Sequence, residues 1–259
     1  MVRQAIRLDE AVALQAGVTR SRARALVLGG RVRVNGEPIT KAGARIVEGA
    51  TIEIERPKPY VSRGGEKLEH ALQSFGIDPS GMRALDIGAS TGGFTDCLLR
   101  FGAAHVTAID VGYGQFAWTL RNDARVQVIE RTNFRHVDND ALGEPFDLIV
   151  IDASFISLRT IVERARRFLR PEGAIVALVK PQFEAGRDRV RRGGVVRDPE
   201  VHADVLREVR DGMKALGLSV TALDRSPLFG PAGNREFFVE IRREGASITN
   251  EMIAQSAGI

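Results

Sequence analysis

The chain has 259 residues, 44% apolar and 27% charged, with a single cysteine, Cys97, and a formal net charge of +4 at pH 7. One thiol excludes an intramolecular disulfide and a zinc site built from several thiolates, and no apolar run reaches the roughly 18 residues that cross a bilayer. The composition is that of a soluble globule with one large domain or two smaller ones; Asp9 and Glu10 stand where a signal peptide needs its apolar stretch, so a cytoplasmic location is expected.

Residues 1–58 hold eleven basic and six acidic side chains, a net of +5 that leaves −1 for the remaining 201 residues. Positive charge is thus concentrated at one end, as in a polyanion-binding appendage on a near-neutral body. Ile6 opens a helical pattern through Leu8, Val12 and Leu14 that ends at Gly17. A second helix is predicted from Thr19, an N-cap residue, to Leu28, and Gly29-Gly30 stops it. Val32-Arg-Val34, a turn at Asn35-Gly36 and the run Thr51–Ile54 read as strands of a small sheet. Arg56-Pro-Lys-Pro59 is short of amide donors and reads as a stiff linker. The sequences Arg7-Leu-Asp9, Thr19-Arg-Ser-Arg-Ala23 and Gly30-Arg-Val-Arg-Val-Asn-Gly36 resemble the alpha-L RNA-binding module. That resemblance implies RNA contacts for Arg3, Arg7, Arg20, Arg22, Arg24, Arg31 and Arg33. No Phe, Tyr or Trp precedes Tyr60, so bases have no aromatic platform to stack on here. The arginines must instead read phosphates and folded RNA shape.

From Met82 the pattern becomes an alternation of strands and helices. Strands are predicted at Arg83–Ile87, Val106–Asp110, Val126–Ile129, Asp147–Asp152 and Ala174–Lys180, with helices at about Phe94–Phe101, Gln115–Asn122 and Leu158–Leu169. Runs such as Leu148-Ile-Val-Ile151 suit a parallel sheet covered on both faces. A long helix from Pro199 to Leu216 precedes two final strands, Leu218–Leu223 and Glu236–Ile241, joined through Gly230–Asn234. The expected fold is a doubly wound α/β domain with a mostly parallel seven-stranded, Rossmann-like sheet, one strand being antiparallel. After Arg243 the weakly patterned end is expected to fray.

Ligands of open α/β sheets sit at the carboxyl ends of the strands. The first such end is Asp86-Ile-Gly-Ala-Ser-Thr-Gly-Gly-Phe94, where Gly88, Gly92 and Gly93 let backbone approach a ligand. A carboxylate at Asp86 would repel a pyrophosphate and attract an amino-acid ammonium, which favours S-adenosylmethionine over a dinucleotide. Asp110, 24 positions later, is placed to accept the ribose hydroxyls of an adenosine. The fourth strand ends Asp152-Ala-Ser-Phe155, not the D/N-P-P-Y of amino-methylating enzymes. Cys97, inside the helix after the loop, reads as a small core residue and not as a nucleophile. Lys180 closes an apolar strand, where a charge is costly unless paired. A neighbouring carboxylate and a second lysine would give it a partner and ready it to deprotonate a ribose hydroxyl.

Tyr60-Val-Ser-Arg-Gly-Gly-Glu-Lys-Leu68, the motif from Asp86 to Asp96, D-V-G-Y-G-Q from Asp110, D-A-S-F-I-S-L from Asp152, L-V-K-P-Q-F-E from Leu178 and G-N-R-E-F-F from Gly233 are similar to the TlyA-type haemolysin family, itself similar to FtsJ-like ribose 2′-O-methyltransferases. The resemblance spans nearly the whole chain. It implies a lysine–aspartate–lysine–glutamate tetrad at Lys67, Asp152, Lys180 and Glu236, with Glu240 an in-register competitor for the last place. Lys180 would deprotonate the 2′-hydroxyl or hold it ready, Asp152 would orient it, and Lys67 and Glu236 would position the ribose. Cofactor contacts are implied at Ser62, Gly88, Phe94, Asp110, Asn133 and Phe134, completed by Asp86, Ala89, Ser90, Gly92, Gly93, Val111 and Asp152 of the same motifs. The implied cofactor is S-adenosyl-L-methionine, the implied partner ribosomal RNA within ribosomal subunits, and neither metal nor membrane insertion is expected. The implied domains are an alpha-L RNA-binding domain at 1–55, a linker at 56–62, a methyltransferase domain at 63–243 and a tail at 244–259. Arg63, and Arg187 and Arg192 in the basic stretch Glu184–Asp198, are further RNA-binding candidates; that stretch is either a basic lid over the target nucleotide or a solvated loop. Two other readings are a membrane-lytic protein, which the absence of a strongly apolar amphipathic helix opposes, and a non-catalytic ribosome-assembly factor, which has no need of Asp86, Asp110 and Lys180 at successive strand ends.

Overall fold

The computed structural model describes residues 5–47, 49–54, 59–138, 140–186, 189–190, 193–230 and 232–259. Arg3, Arg187, Arg192 and most of the Arg56–Pro59 linker lie outside them. The chain divides into two compact units, Met1–Lys58 and Pro59–Ile259.

In the first unit strand β1 (Ala5–Arg7) leads into helix α1 (Leu8–Ala16), and α2 (Arg20–Leu28) follows. Ile6 pairs with Ile46 of β4 (Arg45–Val47), so the helix starts two residues later than its apolar pattern. Leu14, counted with the apolar face, is 83% exposed. Gly17 closes α1 in the left-handed conformation and Thr19 caps α2, its hydroxyl accepting from the Arg22 amide. Asn35 and Gly36 both have positive φ, which suits the tight hairpin between β2 (Val32–Val34) and β3 (Glu37–Pro38). Strand β2 also pairs with β5 (Ile52–Ile54). Leu8, Val12, Ala23, Val27 and Val32 are fully buried in this small core.

The second unit opens with α3 (Arg63–Phe75), capped by Ser62. No helix was expected there, because Gly64 and Gly65 lower the propensity of its first turn. Tertiary packing overrides that cost: the Tyr60 ring lies so close that a Cβ on Gly65 would stand 2.1 Å from it. Strands β6 (Arg83–Ile87), β7 (His105–Ile109), β8 (Val126–Ile129), β9 (Phe146–Ile151) and β10 (Leu169–Val179) match the predicted ones closely, except that β10 begins five residues early through an irregular stretch before Ala174. Helix α6 (Leu158–Ala165) stops short for the same reason, α5 shrinks to Trp118–Arg121, and a single turn, α7 (Pro181–Glu184), follows β10. The sheet order is β11-β12-β10-β9-β6-β7-β8. Only β12 (Phe237–Arg242) runs antiparallel, to both β10 and β11 (Ser219–Arg225), as the doubly wound reading required.

Helices α3, α4 (Gly93–Arg100) and α5 supply Leu68, Leu72, Leu98 and Leu120 to one face of the sheet. On the other face α6, α8 (Pro199–Ala215) and α9 (Asn250–Ala257) supply Leu158, Leu206, Met213 and Ile253. The order reverses between β6 and β9, opening the crevice that α/β sheets use for ligands. Helix α9 corrects the expectation of a fraying tail. Thr249 caps it, Ile253 and Ala257 are buried, and Arg225 donates to the Gln255 and Ser256 carbonyls at its far end. Ile253→Ala is expected to cost about 2–5 kcal/mol in urea unfolding, the range for truncating a fully buried aliphatic side chain, and a change below about 0.5 kcal/mol would mean α9 is dispensable.

Candidate active site

The loop after β6 turns back over the sheet and needs glycine where it does so. Gly88 has φ +85, and a Cβ there would lie 2.6 Å from the Asp152 carbonyl oxygen, so the ends of β6 and β9 approach too closely for a side chain. Ser90 takes a left-handed φ of 49 and donates its amide to Asp110 Oδ2 at 2.8 Å; the Gly112 amide reaches Asp110 Oδ1 at 2.6 Å. Asp110 therefore ties the first two strand-end loops together, while each of its oxygens keeps a second lone pair. These loops border a cavity of about 420 Å³ whose walls include Gly88, Ser90, Asp110, Val111, Asn133, Phe134 and Asp152.

The other candidate cofactor residues stand behind that cavity and are not among its walls. Asp86 is fully buried and accepts from the Thr95 hydroxyl at 2.7 Å, with Oδ1 left unpartnered. Burial pushes its carboxyl up to about 7 against the pull of Thr95, with the charges of Asp152 and Asp110 adding to the rise. The side chain is turned toward Thr95 and its free oxygen faces no described partner. Ala89 and Phe94 are buried, and Gly92 packs beneath Leu120 and Phe116. Ser62 sits over Gly93, where any Cβ would meet its hydroxyl at 2.1 Å. These residues shape the loop from beneath.

Four charged side chains gather at the ends of β9, β10 and β12. Lys180 Nζ lies 2.6 Å from Asp152 Oδ1 and donates to Ser154 Oγ at 2.8 Å. Lys67, in the second turn of α3, is paired with Glu236; Lys67 is 8% exposed and Glu236 1%. The register of β10 with β12 pairs Val179 with Phe237, so one residue further out brings Lys180 beside Glu236. The two ion pairs are thereby neighbours. Glu240 is turned elsewhere, to Thr221 and Arg242.

The arginines divide into two groups. Arg7 and Arg20 are held by Asp9 and Glu10 inside the first unit, which offsets their charge; hydrogen bonds from Arg7 hold the Asp9 carboxyl at about 2. Arg22, Arg24, Arg31 and Arg33 are exposed. Arg63 donates to the Phe229 carbonyl at 2.7 Å, and Arg189 is tied to Glu208 and the Ala185 carbonyl. Two residues escaped the sequence reading. Ser154 takes the Lys180 hydrogen bond. Phe155 is 88% exposed, holds a left-handed φ of 65 and leans on Phe183 with ring centroids 4.7 Å apart. An aromatic residue directly after a polar strand end was the available signal; the strain, which costs of order 1–3 kcal/mol and collects at functional sites, is visible only in the structure.

A model of FtsJ-like methyltransferases matches residues 60–243, and a model of the S4 domain matches residues 6–52. The chain is 45% identical over 239 residues to the 16S/23S rRNA (cytidine-2′-O)-methyltransferase TlyA of Mycobacterium tuberculosis, covering 91% of this chain and 89% of that protein. It is 41% identical to Hemolysin A of Brachyspira hyodysenteriae over 90% of this chain and 98% of that one. A solved structure of a hemolysin-named protein from Streptococcus thermophilus, 39% identical, superposes with a TM-score of 0.76 over 99% of this chain and 96% of that chain. The chain belongs to the FtsJ-like methyltransferase family, with an S4 domain ahead of its methyltransferase fold.

Proposed function

We propose that the protein transfers a methyl group from S-adenosylmethionine to the 2′-hydroxyl of a cytidine ribose in ribosomal RNA. The observation that carries this reading is the Lys180–Asp152 pair beside the Lys67–Glu236 pair, at the edge of a cavity closed by Gly88 and Asp110. The name of the mycobacterial relative supports the acceptor, a cytidine 2′-oxygen of 16S and 23S rRNA, and rRNA as substrate puts the work in the cytoplasm.

The cavity suits the cofactor: a glycine at the strand crossing, an acidic side chain for ribose hydroxyls at Asp110, and the apolar walls of Phe134 and Val111. S-adenosylmethionine supplies an electrophilic methyl group when bound. As the neutral amine, Lys180 Nζ accepts the proton of the 2′-hydroxyl while that oxygen attacks the methyl carbon, or as the ammonium it fixes the oxygen for attack, and Asp152 orients Nζ. Lys67 and Glu236 hold the ribose and balance charge beside it. Among the described residues no helix is long and apolar enough to cross a membrane, and no cluster of side chains suits a metal ion.

The deciding experiment is methyl transfer from labelled S-adenosylmethionine to separated small and large subunits and to free rRNA, with alkali-resistant linkages mapped. Label at a cytidine 2′-oxygen is the expected result. Tight cofactor binding with no label in any RNA would point to a different acceptor, and no cofactor binding at all to an assembly factor.

Phe155 is positioned to stack on the displaced target base, a contact worth about 1–3 kcal/mol. Phe155→Ala is expected to lower kcat/KM for rRNA by about tenfold or more, measured at saturating S-adenosylmethionine because Phe155 also walls the cofactor cavity; wild-type kcat/KM would remove Phe155 from substrate recognition. Deleting residues 1–58 is expected to weaken rRNA binding and flatten its dependence on salt, because each lost phosphate contact reduces the slope by about 0.7–0.9. An unchanged slope would mean that the S4 domain's arginines do not touch the RNA.

A further inference from the structure

The connection between β11 and β12, from Ser226 to Arg235, has no role in the reaction as described so far, yet it touches the Lys67–Glu236 pair. Asn234 is 2% exposed, and both ends of its side-chain amide are used: Oδ1 accepts from the Val196 amide at 2.9 Å and Nδ2 donates to the Gly194 carbonyl at 2.9 Å. An N–H on one side and a C=O on the other accept an asparagine in one orientation only. Val196 is itself fixed, since its carbonyl meets His202 Nε2 at 3.0 Å and its side chain is buried. Through these bonds Asn234 is anchored to the start of α8, where Asp198 caps the helix.

From that anchor the turn closes on the catalytic strand. The Gly230 amide donates to the Asn234 carbonyl, and the Gly233 amide to the Gly230 carbonyl, each at 2.9 Å. Gly230 thereby lies against the Glu236 carboxylate, where a Cβ would come within 2.5 Å of Oε1. The Ser226 amide holds the Glu236 carbonyl at 2.9 Å. The same connection is tied to α3, the helix that carries Lys67, by the Arg63 bond to the Phe229 carbonyl.

We propose that Asn234 and Gly230 are positioning residues for Glu236: Asn234 locks the turn to the start of α8, and the locked turn sets the Glu236 carboxylate against Lys67. The proposal rests on the assignment of that pair to the methyl-transfer site. It gives Arg63 a framework task, bracing α3 against the turn through one of its guanidinium N–H groups. The chemistry explains the residue types. An aspartate at 234 would set an acceptor against the Gly194 carbonyl in a buried place, and any larger residue at 230 would push the carboxylate aside.

Gly230→Ala is the primary test, because the atom it crowds is the end of a flexible side chain and the fold survives. Steady-state methyl transfer to rRNA should show kcat lowered by roughly 10- to 100-fold, the usual consequence of a displacement near 1 Å, with KM for S-adenosylmethionine unchanged. Asn234→Ala should do the same, and neither substitution should lower kcat further in a Glu236→Gln background. The Lys67 Nζ resonance, assigned by its loss in Lys67→Met, should shift in both variants, a readout that stands even if the reaction is another one. Two results would overturn the proposal: an unshifted Lys67 signal, or equal kcat losses with and without Glu236. A loss confined to KM for rRNA would also overturn it, since the turn would then serve RNA binding and not the ion pair. Should wild-type protein methylate no rRNA while the Lys67 signal still shifts, the assigned reaction fails and the positioning role stands.

Discussion

Lys180→Ala is expected to stop methyl transfer, lowering the single-turnover rate by about 10²–10⁴-fold, the usual contribution of a positioned acid or base. Its cause is local. Nζ sits at the end of β10 between Asp152 Oδ1 and Ser154 Oγ, at 2.6 and 2.8 Å, and no other described cation makes those contacts. The cofactor cavity is walled by Asp152 but not by Lys180, so affinity for S-adenosylmethionine measured by calorimetry should change by less than about threefold, well under the 1.4 kcal/mol that a tenfold change represents. Lys180→Arg separates two roles. A guanidinium keeps the charge and does not release its proton. If Lys180 deprotonates the hydroxyl, the arginine variant is as slow as the alanine one; if it acts by charge alone, part of the rate returns. Full turnover in Lys180→Ala would remove the residue from the mechanism.

The second large effect concerns stability and activity together. Lys67→Met leaves the Glu236 carboxylate unpaired at 1% exposure, and breaking a buried pair in this way costs about 3–5 kcal/mol. The shift should be plain in urea unfolding followed by circular dichroism. The double variant Lys67→Met, Glu236→Met replaces the pair by apolar side chains of similar volume and should recover most of the loss. It should remain inactive. A double variant as unstable as the single one would show that the pair is held by more than mutual attraction, and a double variant that still methylates would remove both residues from the chemistry.

The family resemblance picked out both pairs, yet each member needed a different kind of support. Asp152 and Lys180 end apolar strand runs, and a charge at such a place announces itself in one sequence. Lys67 follows two glycines in a segment without a clear helical pattern, and Glu236 had Glu240 as a competitor on the same strand. Their pairing is a contact between residues 169 positions apart. Asp86 is a different case. Its place at a strand end pointed to the ligand, and only the structure shows that its side chain is buried and accepts from Thr95. The tail misled for a related reason. The pattern of Asn250–Ala257 is weak because only Ile253 and Ala257 are buried, and its second half is held by Arg225 from a distant strand.

The order of the seven strands of the large sheet, the glycine-rich turn, the basic first unit and the lysine and aspartate at strand ends were determined by the sequence alone. Each is a local property, set by periodicity, backbone freedom or the cost of a charge beside an apolar run. The tertiary structure alone decided which glutamate meets Lys67, which arginines are offset by Asp9 and Glu10, which way Asp86 faces, and that Phe155 stands strained and exposed beside the lysine. Those outcomes depend on which distant segments the register of β10 with β12 and the packing of α3 and α8 bring together, and side-chain burial and pairing energies exist only once those segments have met.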